Sequence, residues 1–80
     1  MNEGESRNAQ FQTGYMDHAS FFGKLMAAIY KADNENRAKL ALGFPEECES
    51  VTRWQREDGY SKKLLAAFNN REAIGATIEE

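Results

Sequence analysis

Two side chains could carry proton transfer or thiolate chemistry near neutral pH, His18 and Cys48, and each is the sole residue of its type in the chain. Hydrolytic or transfer catalysis asks for more: a nucleophile with its base, a pair of carboxylates, or a bound metal. His18 stands near the start of an expected helix, where a solvated or capping role is the ordinary one. Cys48 lies close to a helix N-terminus, which lowers a thiol pKa, but Glu46, Glu47 and Glu49 oppose that effect. Its place on an apolar stripe points to a buried structural thiol. The run Glu46-Glu47-Cys48-Glu49 has no histidine at metal-ligand spacing, and no glycine-rich phosphate loop occurs anywhere. Neither catalysis, a metal nor a cofactor is expected.

Binding chemistry is better represented. Tyr30, Lys31, Asn34, Arg37, Arg53, Trp54, Arg56 and Tyr60 set aromatic rings beside cations and an amide. Such a set can stack a planar base and hold phosphate by charge-assisted hydrogen bonds. The competing interpretation makes Tyr30 and Trp54 core or subunit-interface residues and pairs the arginines with carboxylates. A second binding chemistry is acidic: Glu46, Glu47 and Glu49, with Glu57 and Asp58 further on, offer a face to a basic protein partner. A DNA-reading helix-turn-helix is disfavoured by the same residues. Its second helix would drive three carboxylates toward the phosphates.

These residues need elements to position them. Residues 1–16 are mostly polar, without a helical or alternating stripe, and read as a flexible tail. From Asp17, a candidate N-cap, Phe22, Leu25, Met26, Ile29 and Ala32 recur at spacings of three and four, predicting a helix over 17–32. Gly23 within it marks a close crossing. Asp33-Asn34 breaks the stripe and opens a short helix over 34–42, with Gly43 supplying a left-handed C-terminal position. Pro45 suits the first position of the next helix, over 45–58. Its early glutamates and late Arg53 and Arg56 follow the helix dipole, and Gly59 ends it. Ser61 can cap a last helix bearing Leu64, Leu65 and Phe68, with Arg71, Ile74 and Ile78 as its continuation. The fold class is all-α: a bundle of three to four short helices, one domain over 17–80 behind a tail.

The bulk numbers set the remaining bounds. With a tail removed, about sixty residues are left, near the lower limit for a self-sufficient core. Aromatic content is 11%, so a homo-oligomer is expected to cover the surplus apolar surface. One cysteine excludes an internal disulfide and, with no signal peptide, suits a cytoplasmic protein. No apolar run approaches the ~20 residues of a membrane span. The net charge of −3 is concentrated at 45–59, where five acidic residues face two arginines.

The segment Ala27–Tyr60 resembles a group of small proteins of phages, prophages and conjugative elements of gut bacteria. The residues that carry the resemblance are Lys31-Ala32-Asp33, Asn36, Leu40, Gly43-Phe44-Pro45-Glu46-Glu47, Val51, Arg53-Trp54 and Gly59-Tyr60. It implies a mobile-element accessory protein in a bacterial host, acting by binding. One class in that setting, the viral sponges, sequesters immune signalling nucleotides inside compact helical oligomers. The expectation is therefore a counter-defence protein holding a nucleotide-like signal, or alternatively a module that blocks or adapts a host or phage protein through helix 45–58.

Overall fold

The computed structural model describes the backbone of residues 1–79 and the side chains of residues 1–70. Five helices follow one another, α1 (Glu3–Thr13), α2 (Phe21–Lys31), α3 (Asn34–Ala41), α4 (Pro45–Arg56) and α5 (Tyr60–Glu79), with no strand among the described residues. None of the helices is long and apolar enough to cross a membrane. The expected continuation at Arg71, Ile74 and Ile78 is helical in backbone, and its side chains lie outside the described residues.

The largest correction is at the N-terminus. Residues 3–13 are not a tail but α1, closed at its start by a reciprocal cap. The Asn2 side chain accepts from the Glu5 N–H at 2.7 Å, and the Glu5 carboxylate accepts from the Asn2 N–H at 3.1 Å. Gly14, at φ 84°, ends the helix. α1 buries Gly4, Asn8 and Ala9 rather than large apolar side chains. At Gly4 the two backbones meet: a Cβ there would stand 2.2 Å from the Glu46 carbonyl carbon. The hydrophobic stripe that announces most helices is thus replaced by small and hydrogen-bonded residues.

The other elements stand close to their expected places, with shifted ends. α2 begins at Phe21 behind the cap Ser20, whose hydroxyl accepts from the Gly23 N–H at 3.1 Å. Asp17 caps only the turn before it, accepting from the Ala19 N–H. Gly23 meets the backbone of Asp17 and His18, so the close approach is to the preceding loop rather than to another helix. Asp33 caps α3 by accepting from the Asn36 N–H. Gly43 is not left-handed; positive φ occurs at Gly14 and Gly59 among the described residues. Phe44 then leads into Pro45 at the first turn of α4, and Gly59 separates α4 from α5.

Two apolar clusters fill the interior. Leu25, Met26 and Ile29 of α2 meet Cys48 and Val51 of α4. On the other side, Ala9 of α1 meets Tyr60, Leu64 and Phe68 of α5, with Trp54 packed against them. α4 therefore stands between both clusters and carries α1 across it.

The Gly4 contact gives a test with an internal control. Gly4→Ala forces the α1 and α4 backbones apart and costs about 1–3 kcal/mol, read as a lower melting temperature. Gly43→Ala, with nothing within 4 Å of the added carbon and no positive φ, leaves the melt unchanged or slightly raised. Equal losses at both positions would refute the close crossing.

Candidate functional site

A groove of about 380 Å³ runs between α3 and α4. Asn34 and Arg37 reach it from α3, Glu49, Thr52, Arg53 and Arg56 from α4, and Ala38, Ala41, Pro45 and Cys48 contribute apolar surface. Helical geometry assembles this wall, because positions three and four apart share a face. Arg37 is tied in on two sides. One terminal nitrogen donates to the Ile29 carbonyl at 2.9 Å, which also accepts from the Ala32 N–H at the end of α2, and the other to the Thr52 hydroxyl at 3.3 Å. Its Nε is buried with no hydrogen-bond partner. Across the groove Arg56 donates to the Asn34 amide oxygen at 3.4 Å.

Arg53 is held differently. Its Nε donates to both Glu57 oxygens at 3.1 Å, and its guanidinium lies over the Tyr60 ring, 4.4 Å from the centroid. The hydrogen bond it donates to Glu57 raises the Arg53 pKa above its ordinary value. The buried Cys48 thiol also borders the groove. Burial pushes its pKa up, outweighing the lowering effect of Arg37, so it stands as a neutral thiol. Its burial is as expected.

The eight residues expected to form one ligand site divide among separate places, with Arg56 on the groove side of the division. Asn34, Arg37 and Arg53 share the groove; Tyr30, Lys31, Trp54 and Tyr60 do not border it. Lys31 is exposed and borders a hollow between α2 and α3 with Asn36 and Lys39. Trp54 packs against the Tyr60 cluster. The two tyrosines belong to a buried chain of hydrogen bonds that joins four helices. Gln12 donates to the Tyr30 hydroxyl, which donates to the Asn8 oxygen at 2.7 Å; the Asn8 amide donates to the Ser50 hydroxyl at 3.0 Å. Ser50 and Tyr60 are 2.7 Å apart, and Tyr60 donates onward to Glu5 at 3.4 Å, which makes Ser50 the donor to Tyr60.

The acidic face is also smaller than the sequence suggests. Glu46 and Glu49 are exposed, but Glu47 is 4% exposed and paired with Arg7 of α1, whose guanidinium lies over the Phe22 ring. Glu47 is therefore lost to any partner. His18 stacks on Phe11 at 4.3 Å and its Nε2 lies 3.1 Å from the Phe11 carbonyl, away from any nucleophile of the groove. Sequence reasoning passed over Arg7, Asn8 and Ser50. The visible signal for them was local: the Asn2-to-Glu5 capping spacing and the Glu3–Arg7 pair one turn apart imply a helix at 3–13. Among the described residues no group of His, Cys, Asp and Glu side chains comes together to hold a metal ion.

No family model matches this chain, and no curated protein or solved structure is similar to it.

The hydrogen-bonded tyrosines carry a pH signature. Burial raises the pKa of both Tyr30 and Tyr60 above the ordinary 10.0. Below that pH both are neutral, folded or unfolded, and their contribution is constant. Above it the unfolded chain releases these protons first, so stability falls as pH rises through the folded values. The urea midpoint should drop above pH 10.0, and Tyr30→Phe should make the drop shallower. A midpoint flat through that range would contradict the buried chain.

Proposed function

We propose that this chain is a binding protein rather than an enzyme, and that it sequesters a small anion in the groove between α3 and α4. The observation that carries this is convergence: Asn34, Arg37, Arg53 and Arg56 come from two helices to one largely apolar groove, where three cations outnumber the one carboxylate, Glu49. Phosphate or carboxylate oxygens would accept from Arg56 and the Asn34 amide, the least committed of these groups, with Arg37 adding charge from the wall. The apolar part of the ligand would rest on Ala38, Ala41 and Pro45. A nucleotide-like signal suits this division. Its base would lie on an aliphatic surface, since Tyr30, Trp54 and Tyr60 are engaged elsewhere.

The resemblance of Ala27–Tyr60 to mobile-element proteins supports a setting in the cytoplasm of a bacterial host, where capture of a signalling nucleotide counters defence. A homo-oligomer is proposed alongside it and does not depend on the groove. A second reading, docking of a basic host or phage protein on α4, is favoured by the exposure of Glu46 and Glu49 and of Leu42 at 89%. It now rests on those carboxylates without Glu47.

Calorimetric titration with ATP, with inorganic phosphate as the smaller probe, tests the groove. Wild type is expected to bind ATP, and Arg56→Ala to weaken binding about tenfold or more, the worth of a charge-assisted hydrogen bond at ~1.5–3 kcal/mol. Arg56 is the better target because Arg37 also holds α2 and α4 together. Affinity unchanged in Arg56→Ala removes the groove assignment. Absence of binding, together with a salt-sensitive protein captured from host lysate and lost in Glu46→Lys, moves the function to the second reading.

A further inference from the structure

The outward face of α4 has a charge order that is complementary to itself. Glu46, Glu49, Arg53 and Arg56 are spaced three, four and three residues apart, so they form one stripe along the helix. Glu46, Glu49 and Arg56 are exposed, and the Arg53 side chain is 42% exposed. The sequence along the stripe is two negative charges followed by two positive ones, over about 15 Å at 1.5 Å per residue. Turned end over end about Val51, the stripe maps each glutamate onto an arginine: Glu46 onto Arg56, and Glu49 onto Arg53.

We propose that this face is the interface of a two-fold symmetric dimer in which the α4 helices of two copies run antiparallel. A two-fold axis brings the same patch of both copies together, so a patch must complement itself. Here the antiparallel arrangement forms four glutamate–arginine pairs, two of each kind. The parallel arrangement would set glutamate against glutamate and arginine against arginine, and charge alone excludes it. Thr52 stands beside the stripe on its α3 side, half-buried and accepting from Arg37. Pro45 and the adjoining apolar surface of the α3–α4 groove lie beside the stripe and would be covered with it. Glu57, which now holds Arg53 from one turn away, is an exposed partner that Glu49 of the second copy would share or replace.

The inference stands on this pattern and not on the anion reading, although the two meet at Arg53 and Arg56. An anion bound to those arginines would compete with the glutamates of the second copy. Reversing Glu46, which does not line the groove, keeps every groove residue, so it separates loss of the dimer from loss of the ligand.

Sedimentation velocity over a concentration series reads the outcome. Wild type should move from the 9.1 kDa monomer to a dimer as concentration rises. Glu46→Lys/Glu49→Lys should raise the dissociation constant at least tenfold, and so should Arg53→Glu/Arg56→Glu. An equimolar mixture of the two variants should form a heterodimer, because one then presents four positive charges and the other four negative. Circular dichroism confirms that each variant is folded. Should Arg53→Glu disturb α5 through Tyr60, Glu46→Arg mixed with Arg56→Glu makes the same comparison at the exposed ends of the stripe. A wild type that stays monomeric up to its solubility limit overturns the proposal. So does a dimer indifferent to both reversals, or a pair of folded variants that do not associate.

Discussion

The structure depends on the seating of α1 across α4. Gly4 lets the two backbones touch, Asn8 reaches Ser50, and Arg7 supplies the counter-charge for the buried Glu47. Each contact has a consequence beyond the pair. Asn8 also accepts from Tyr30 and so fixes α2, while Ser50 donates to Tyr60 and fixes the start of α5. Without the Arg7 guanidinium, Glu47 would be a buried carboxylate that has lost its counter-charge, a loss of about 3–5 kcal/mol. In a chain with so small a core, that is a large share of the total stability. The N-terminal helix is thus the member that closes the bundle.

The same economy governs the cations. Each arginine of the groove has a structural attachment: Arg37 to Ile29 and Thr52, Arg53 to Glu57 and the Tyr60 ring, Arg56 to Asn34. The attachments hold the guanidinium groups in place, which lowers the entropy lost when a ligand or partner engages them. They also compete with it, since an exposed i, i+4 pair such as Arg53–Glu57 must loosen before Arg53 changes partner. Such exposed pairs contribute little, so the competition is slight. Arg37 differs because its bonds bridge α2, α3 and α4. It organises the wall of the groove even where it contributes no direct contact.

Much of the fold was legible in local chemistry. Pro45, the glutamates after it and Gly59 bounded α4 to within a few residues, and the three-four spacing of Leu25, Met26 and Ile29 marked α2. α1 was not legible by the same rule, because its buried face is Gly4, Asn8 and Ala9. A helix that packs through a bare backbone and hydrogen bonds leaves no hydrophobic stripe to read. The grouping of the site residues failed for a related reason. Arg53 and Trp54 are neighbours in sequence, but successive helical positions point about 100° apart, so Arg53 faces the groove while Trp54 turns to the α5 cluster.

The sequence by itself determined the helical class, the stop at Gly59, the cap at Asp33-Asn34 and the charge order along α4, all of which follow from local backbone and dipole preferences. Only the tertiary structure decided which partners these residues take. It placed Glu47 inside and left Glu46 and Glu49 outside, gave Tyr30 and Tyr60 to a buried hydrogen-bond chain, and brought Asn34 and Arg37 opposite Arg53 and Arg56. The physical reason is that a residue's type sets what it can bond to, whereas burial and the approach of a distant helix set which of those bonds is made.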